Sequence, residues 1–284
     1  MQKLFGTDGI RGVVNRYPIT ADLAFNLGRS IGYYLDKNRN KKVVIGKDTR
    51  LSGDMLESAL IAGLCSTGID VFKLGVITTP AVAFLTQYYE ASMGIVISAS
   101  HNPFNDNGIK FFKNDGYKLM DSQEEQIEQI LNNELFKKMV VTGGNIGKVI
   151  EKYDAREIYI QKILQNVPDY EKFKFYKIII DCANGAAYQI ADRLFGQLGL
   201  QYEIINNTPN GININLNCGS TSMARLKENV LTAKADLGIA FDGDADRMLA
   251  IDEKGNLIDG DQIMLIYANT YIKNGQLGNN KIVT

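Results

Sequence analysis

Short apolar runs alternate with helical patterns along this chain at a spacing that leaves few fold options. Val43-Val44-Ile45 reads as a short buried strand, and a helix capped by Ser52 follows with Leu56, Leu60, Ile61 and Leu64. Gly68 closes that helix and Val71-Phe72 is a strand. Thr79-Pro80 opens the next helix, as N-cap and then proline at the first helical position; Ile95-Val96-Ile97 is again a buried strand. Strand, helix, strand, helix, strand at this spacing predicts βαβ units. The expected class is α/β: consecutive α/β domains with mixed, mostly parallel sheets and helices on both faces.

The remainder fits this frame. Thr20 is a plausible cap for a helix with Leu23, Leu27, Ile31 and Leu35 on one face, and Gly108 to Phe112 returns as a strand. Asp121 and Glu124 form a capping-box-like start for a helix carrying Ile127, Ile130 and Leu131. Val141 to Lys148, with Gly143, Gly144 and Gly147, lacks helical periodicity and reads as a domain boundary. A second unit then runs through a helix at Tyr153 to Leu164, a strand at Ile178 to Ile180 and a helix at Ala186 to Gly199. A strand at Tyr202 to Ile205, a polar loop from Asn206 to Thr221, a helix opened by Ser222 and a strand at Leu237 to Phe241 follow. At 284 residues the chain exceeds one core of ordinary size. The expected division is 1–150, 151–256 and a third domain starting at 257–284, with a helix at Asp259 to Asn274 and a strand beginning at Lys281 to Thr284.

Charge excludes some partners. Thirty-one Lys and Arg against 32 Asp and Glu leave a net −1, which argues against nucleic acid or an anionic membrane as the main partner. Cys65, Cys182 and Cys218 make neither a disulfide framework nor a zinc pattern. No apolar run reaches the roughly 18 residues of a membrane span, and Met1 to Gly6 lacks a secretory apolar region. A cytoplasmic protein is expected; the sequence says nothing of oligomeric state.

Two loops carry chemistry. The strand Ile95 to Ile97 runs into Ser98-Ala99-Ser100-His101-Asn102-Pro103, which places the Ser100 hydroxyl at the carboxyl end of a strand, where open α/β sheets bind ligands. An ordinary turn would use the same residue types. His101, the only histidine, invites a Ser–His hydrolase reading, but no G-x-S-x-G elbow surrounds it.

The second loop is Asp242-Gly243-Asp244-Ala245-Asp246-Arg247, between the strand ending at Phe241 and another at Met248 to Ile251. Three carboxylates in five residues repel one another unless a cation lies among them, and oxygen-only ligands favour Mg²⁺ or Ca²⁺. An EF-hand count fails because Arg247 stands where glycine is needed and strands, not helices, flank the loop. A dehalogenase-like phosphatase with Asp242 as nucleophile, a Mg²⁺ site holding a phosphate beside Arg247, and a merely solvated acidic turn stay open.

Taken together, four segments resemble the α-D-phosphohexomutase family. They are Phe5-Gly6-Thr7-Asp8-Gly9-Ile10-Arg11-Gly12, Ser98 to Lys110 (Ser-Ala-Ser-His-Asn-Pro-Phe-Asn-Asp-Asn-Gly-Ile-Lys), Asn217-Cys218-Gly219-Ser220-Thr221, and Asp242 to Arg247. The first two resemble its glucosamine branch more than its phosphomannomutase or phosphoglucomutase branches. Ala245 stands where the family often has glycine. The resemblance implies a phosphoryl group carried on Ser100, Mg²⁺ held by Ser100, Asp242, Asp244 and Asp246, and a hexosamine phosphate substrate passing through a 1,6-bisphosphate. It implies Lys110 and Arg11 in positioning or proton transfer, a desolvated lysine having its pKa lowered for the task. His101 and Arg247 are implied as phosphate contacts. Arg50 could as well be structural. The family has four domains, so this chain is expected to turn over poorly alone; a non-catalytic Mg²⁺-dependent phosphate-binding module is the alternative from a different class.

Overall fold

The computed structural model describes residues 3–36, 41–167, 170–278 and 281–282. Alternation along two short strands decides the architecture of the first part. In β2 (Lys42–Lys47), Val43 and Ile45 face one way and Val44 the other, and all three are fully buried, so both sides of the sheet need cover. Val43 and Ile45 pack with Leu27 and Ile31 of α1 (Ala21–Leu35) and Leu56, Leu60 and Leu64 of α2 (Gly53–Cys65). Val44 packs with Ala81, Val82 and Leu85 of α3 (Thr79–Tyr88). Helices therefore lie on both faces.

The first sheet also holds β1 (Ile10–Val13), β3 (Asp70–Val76), β4 (Met93–Ile97), β5 (Asp106–Lys113) and β6 (Val149–Glu151), in the order β1-β5-β4-β2-β3-β6. β2 runs parallel to β3 and β4, while β5 pairs antiparallel with β4 and β1. α4 (Asp121–Asn132) packs Ile127 into the α1 side.

α5 (Ala155–Leu164) leads to the second sheet, formed by β7 (Lys177–Asp181), β8 (Gln201–Ile205), β9 (Leu237–Phe241), β10 (Met248–Asp252) and β11 (Leu257–Ile258), in the order β11-β10-β9-β7-β8. β7 is parallel to β8 and β9, and β10 folds back antiparallel on β9. Ile178 and Ile180 face α6 (Tyr188–Gln197), and Ile179 faces α7 (Ala224–Ala233). Ile190 of α6 joins Ala155 and Ile160 of α5 and the α3 side of the first sheet in one apolar cluster. The two sheets thus share a core. α8 (Gly260–Lys273) follows, with Asp259 as its N-cap accepting from Gln262 N at 3.0 Å.

Thr20 caps α1 as expected, accepting from Leu23 N at 3.2 Å. Four other caps differ. Ser52 makes no capping bond; its Oγ accepts from Asn107 Nδ2 at 2.8 Å instead. Thr78, not Thr79, is the N-cap of α3, and Met223, not Ser222, precedes α7. α4 starts one residue early, with Gln123 Oε1 accepting from Met120 N at 3.1 Å, because glutamine at the third helical position reaches back where Glu124 is one residue too far. Lys281 and Ile282 are not in a strand, and the rest of the expected terminal strand lies outside the described residues.

Candidate active site

β4 and β2 are parallel neighbours, so the loops leaving their carboxyl ends emerge side by side. At the end of β4 the chain turns through Ser100, whose φ of +53° is left-handed, and the residue is fully buried. A non-glycine residue held there costs about 1–2 kcal/mol and persists only where its surroundings over-determine it. Ser98 Oγ accepts from Ser100 N at 2.9 Å and donates to Asp48 Oδ2 at 2.6 Å.

β9 delivers the acidic loop to the same place. Asp242 follows the last residue of β9 and Arg247 precedes β10, so the six residues between make a hairpin loop closed by Ala245 N donating to Asp242 O at 3.1 Å. Ala245 sits at φ +55°, the conformation that glycine adopts without strain. Ser100 Oγ donates to Asp242 Oδ2 at 2.6 Å, which joins loops 142 residues apart in sequence. Arg247 Nη2 reaches Asp242 Oδ2 at 3.0 Å and His101 Nδ1 at 2.6 Å, and donates to Ser100 Oγ as well. His101 is thus tied to Ser100 through a shared arginine and not by a Ser–His pair.

Lys110 of β5, almost fully buried, places Nζ 2.8 Å from Asp244 Oδ2, 3.2 Å from Asp246 Oδ2 and 3.1 Å from Asp8 Oδ2. Arg11 joins at one remove, pairing with Asp8 at 2.5 Å beside a recess of about 350 Å³ lined by Thr7, Asp8, Gly9 and Arg11. The structure therefore brings together Ser100, His101, Lys110, Asp242, Asp244, Asp246 and Arg247, with Arg11 at the margin.

The electrostatics follow from burial. Asp242 is pushed up to about 6 by desolvation and by the charge of Asp244. Burial would raise Asp244 too, but the charge and hydrogen bond of Lys110, with the Thr79 hydroxyl at 2.6 Å, hold it below its usual range. For Lys110 burial pulls downward, yet Asp244, Asp246 and Asp8 more than offset it, and its pKa is raised. That corrects the expected lowering: desolvation acts, but three carboxylates outweigh it. His101 is lowered by burial and by the Arg247 and Arg11 charges, which keeps the imidazole neutral.

The acidic loop is not a solvated turn, since Asp242 and Asp244 are fully buried. One oxygen from each of Asp242, Asp244 and Asp246 lies within 4.8 Å of the others. Oxygens on one Mg²⁺ stand roughly 3 Å apart when adjacent and 4.2 Å when opposite, so side-chain rotation must draw the three closer to share one ion. Asp244 Oδ1 is buried without a hydrogen-bond partner, a lone pair aimed at nothing in the protein. The donor set fits a hard divalent cation.

Several site residues escaped the sequence. Asp8 bridges Arg11 and Lys110, a role that its place between glycines in the first segment does not signal. Thr79 read as a helix cap; its N–H and hydroxyl instead hold Asp244 O at 2.9 Å and Oδ2. Nothing local signals that contact, because it crosses between sheets. Arg50 and Asp48 stand at the carboxyl end of a buried strand, a signal that could have raised their standing.

The description "Phosphoglucomutase/phosphomannomutase, alpha/beta/alpha domain I" matches residues 2–138, and the corresponding domain II matches residues 157–255. The chain belongs to the phosphoglucomutase/phosphomannomutase family. It is 50% identical to phosphoglucosamine mutase of Acetivibrio thermocellus over 285 residues, covering 100% of this chain and 63% of that protein. It is likewise 50% identical to phosphoglucosamine mutase of Bacillus cereus strain B4264, again over 63% of its length. The chain thus spans less than two thirds of the curated relatives it matches. A phosphoglucomutase/phosphomannomutase family protein of Burkholderia thailandensis superposes with a TM-score of 0.81 at 27% identity, over 96% of this chain and 60% of that one. A putative phosphomannomutase of Thermus thermophilus shares the fold, with a TM-score of 0.77 at 24% identity, over 96% of this chain and 62% of that one. Family membership sets the dehalogenase-like alternative aside. No helix among the described residues is long and apolar enough to cross a membrane.

Proposed function

We propose that this chain is the phosphoserine- and metal-bearing part of a phosphoglucosamine mutase, which interconverts glucosamine 6-phosphate and glucosamine 1-phosphate in the cytoplasm. The observation that carries the reading is the 2.6 Å hydrogen bond from Ser100 Oγ to Asp242 Oδ2, across two loops of two sheets. The expected divisions after 150 and 256 move to after Glu151 and Ile258, because β6 pairs with β3 of the first sheet and β11 with β10 of the second; α8 begins a third domain. The substrate follows the relatives at 50% identity and the wording around Ser100.

In this reading Ser100 carries a phosphoryl group. Its P–O bond to Ser100 breaks as a bond forms to the sugar 1-hydroxyl oxygen, and the proton this hydroxyl gives up is balanced by one taken up on the released Ser100 oxygen, giving the 1,6-bisphosphate. The bisphosphate turns over in the site, and the 6-phosphoryl returns to Ser100 while the Ser100 proton is balanced by one on the sugar 6-oxygen, leaving glucosamine 1-phosphate. Asp242, Asp244 and Asp246 hold Mg²⁺, which when bound supplies Lewis-acid neutralisation of phosphoryl oxygens. Phosphoryl transfer rests mainly on positioning and electrostatics. Lys110, an ammonium here, offers charge and a donor rather than a base. Arg247 and His101 hold phosphoryl oxygens from the open side, and Arg11 orients substrate from the neighbouring recess.

Intact-mass measurement after incubation with glucose 1,6-bisphosphate tests this. One phosphoryl group on Ser100 that is lost on adding glucosamine 6-phosphate is expected, with turnover restored only when the chain has the length of its relatives. A phosphoryl group on Asp242, or none on Ser100 in the longer protein, would contradict it.

A further inference from the structure

We infer that Arg50 is a positioning residue for Ser100, fixing the left-handed turn that aims its hydroxyl at Asp242; the inference rests on the role proposed for Ser100. The loop after β2 turns back at Asp48, and Arg50 Nε donates to Asp48 Oδ2 at 2.9 Å while Arg50 N donates to Oδ1 at 3.0 Å. The side chains of both residues are 0% exposed. That pair uses one of the five guanidinium N–H donors, so the other four need partners inside the protein. The two remaining nitrogens turn to a single loop. Nη2 donates to Ser100 O at 2.9 Å and Asn102 O at 2.8 Å, and Nη1 donates to Asp106 O at 3.0 Å and to Pro103 O.

Only a planar fork with fixed directions can hold several carbonyls of one turn together; lysine is a point charge on a flexible stem. Asp48 completes the clamp on the other side, through Ser98 Oγ to Ser100 N. Both backbone groups of Ser100 are therefore held by one buried unit, Arg50–Asp48–Ser98. The loop after β8 adds Asn215 Nδ2, which donates to Ser100 O at 2.9 Å and Asn102 O at 3.1 Å. The same β2 loop also touches that side through Thr49 Oγ1 to Asn184 O at 2.6 Å and Leu51 N to Gly211 O at 2.9 Å. Arg50 thus ties the register of the Ser100 turn to the place where the two sheets meet. A displacement of about 1 Å at a reacting group can cost 10²-fold in rate.

The test uses Arg50→Lys in the protein at the length of its relatives, with glucose 1,6-bisphosphate as phosphoryl donor. The expected result is a 10- to 100-fold slower phosphorylation of Ser100, with KM for the donor and Mg²⁺ affinity within about threefold of wild type. Amide exchange should quicken over residues 98–106 and stay unchanged in α1. If Arg50→Lys does not fold, Ser98→Ala, which removes one hydroxyl, carries the same expectation at about tenfold. Either folded variant phosphorylated at the wild-type rate would overturn the inference, as would a loss shared equally with Mg²⁺ binding and α1 protection. A wild-type protein that acquires no phosphoryl group at Ser100 would instead refute the role of Ser100 itself.

Discussion

Asp242→Asn should stabilise the metal-free protein while destroying its metal site. Asp242 is fully buried, and burial with the neighbouring Asp244 charge moves it from 3.8 to about 6. A folded pKa above the unfolded one means that the ionised form opposes folding. The penalty is absent below the unfolded pKa, grows as pH rises between the two values, and is complete above about 6. At roughly 1.4 kcal/mol per unit, the ionised carboxylate costs the fold up to about 3 kcal/mol. Asparagine keeps an acceptor for the Ser100 hydroxyl. The Arg247 attraction already lowers the Asp242 value, so this cost is net of the ion pair that asparagine gives up.

The net expectation at pH 8 in EDTA is a gain of up to about 3 kcal/mol over wild type, vanishing near pH 4. Urea denaturation from pH 4 to 8 reads the gap. Added Mg²⁺ should reverse the order, since a ligand bound only by the folded state stabilises wild type in proportion to RT ln(1 + [L]/Kd). A variant less stable than wild type in EDTA at pH 8, or a gap that does not change with pH, would refute the reasoning.

Gly243→Ala would put a Cβ 2.5 Å from Ser100 O, so the two loops must part; phosphorylation of Ser100 should fall by about 10²-fold with the fold intact by circular dichroism. Ala245→Gly relieves a left-handed alanine at φ +55° and should raise stability by about 0.5 kcal/mol in urea, after the extra unfolded-state entropy of glycine is subtracted. Lys110→Met leaves Asp244 buried beside Asp242 without its cation, and should cost about 3–5 kcal/mol in EDTA, part of it recovered on titrating Mg²⁺ against thermal unfolding.

What the sequence disclosed depended on whether the signal was local. Val43, Val44 and Ile45 announced a strand buried on both sides, and the spacing of Leu27, Ile31, Leu56, Leu60 and Leu64 announced the helices that cover one face. Ser100 and the three aspartates were legible because each sits just beyond a buried strand. The edge strands β1, β6 and β11 were not, being only four, three and two residues long, too short for any period to show. The start of α3 slipped by a residue as Thr79 took Asp244 for a partner, and Ser52, at the expected cap of α2, turned its hydroxyl to Asn107. The sign of the Lys110 shift was out of reach because it depends on Asp8, Asp244 and Asp246, which only tertiary structure gathers around one ammonium. Arg50 was ambiguous for the same reason: its partners are carbonyls 50 to 56 residues away, and carbonyls have no sequence signature.

The proposed site needs a single divalent ion shared by the Ser100 loop and the acidic loop. Diffraction from crystals of the phosphorylated protein soaked in Mn²⁺, recorded at the manganese edge, locates such an ion directly. One anomalous peak within coordinating distance of Asp242, Asp244, Asp246 and an oxygen on Ser100 is the predicted result. A peak that leaves Ser100 or any of the three aspartates outside its coordination shell, or no peak between the loops, would contradict it.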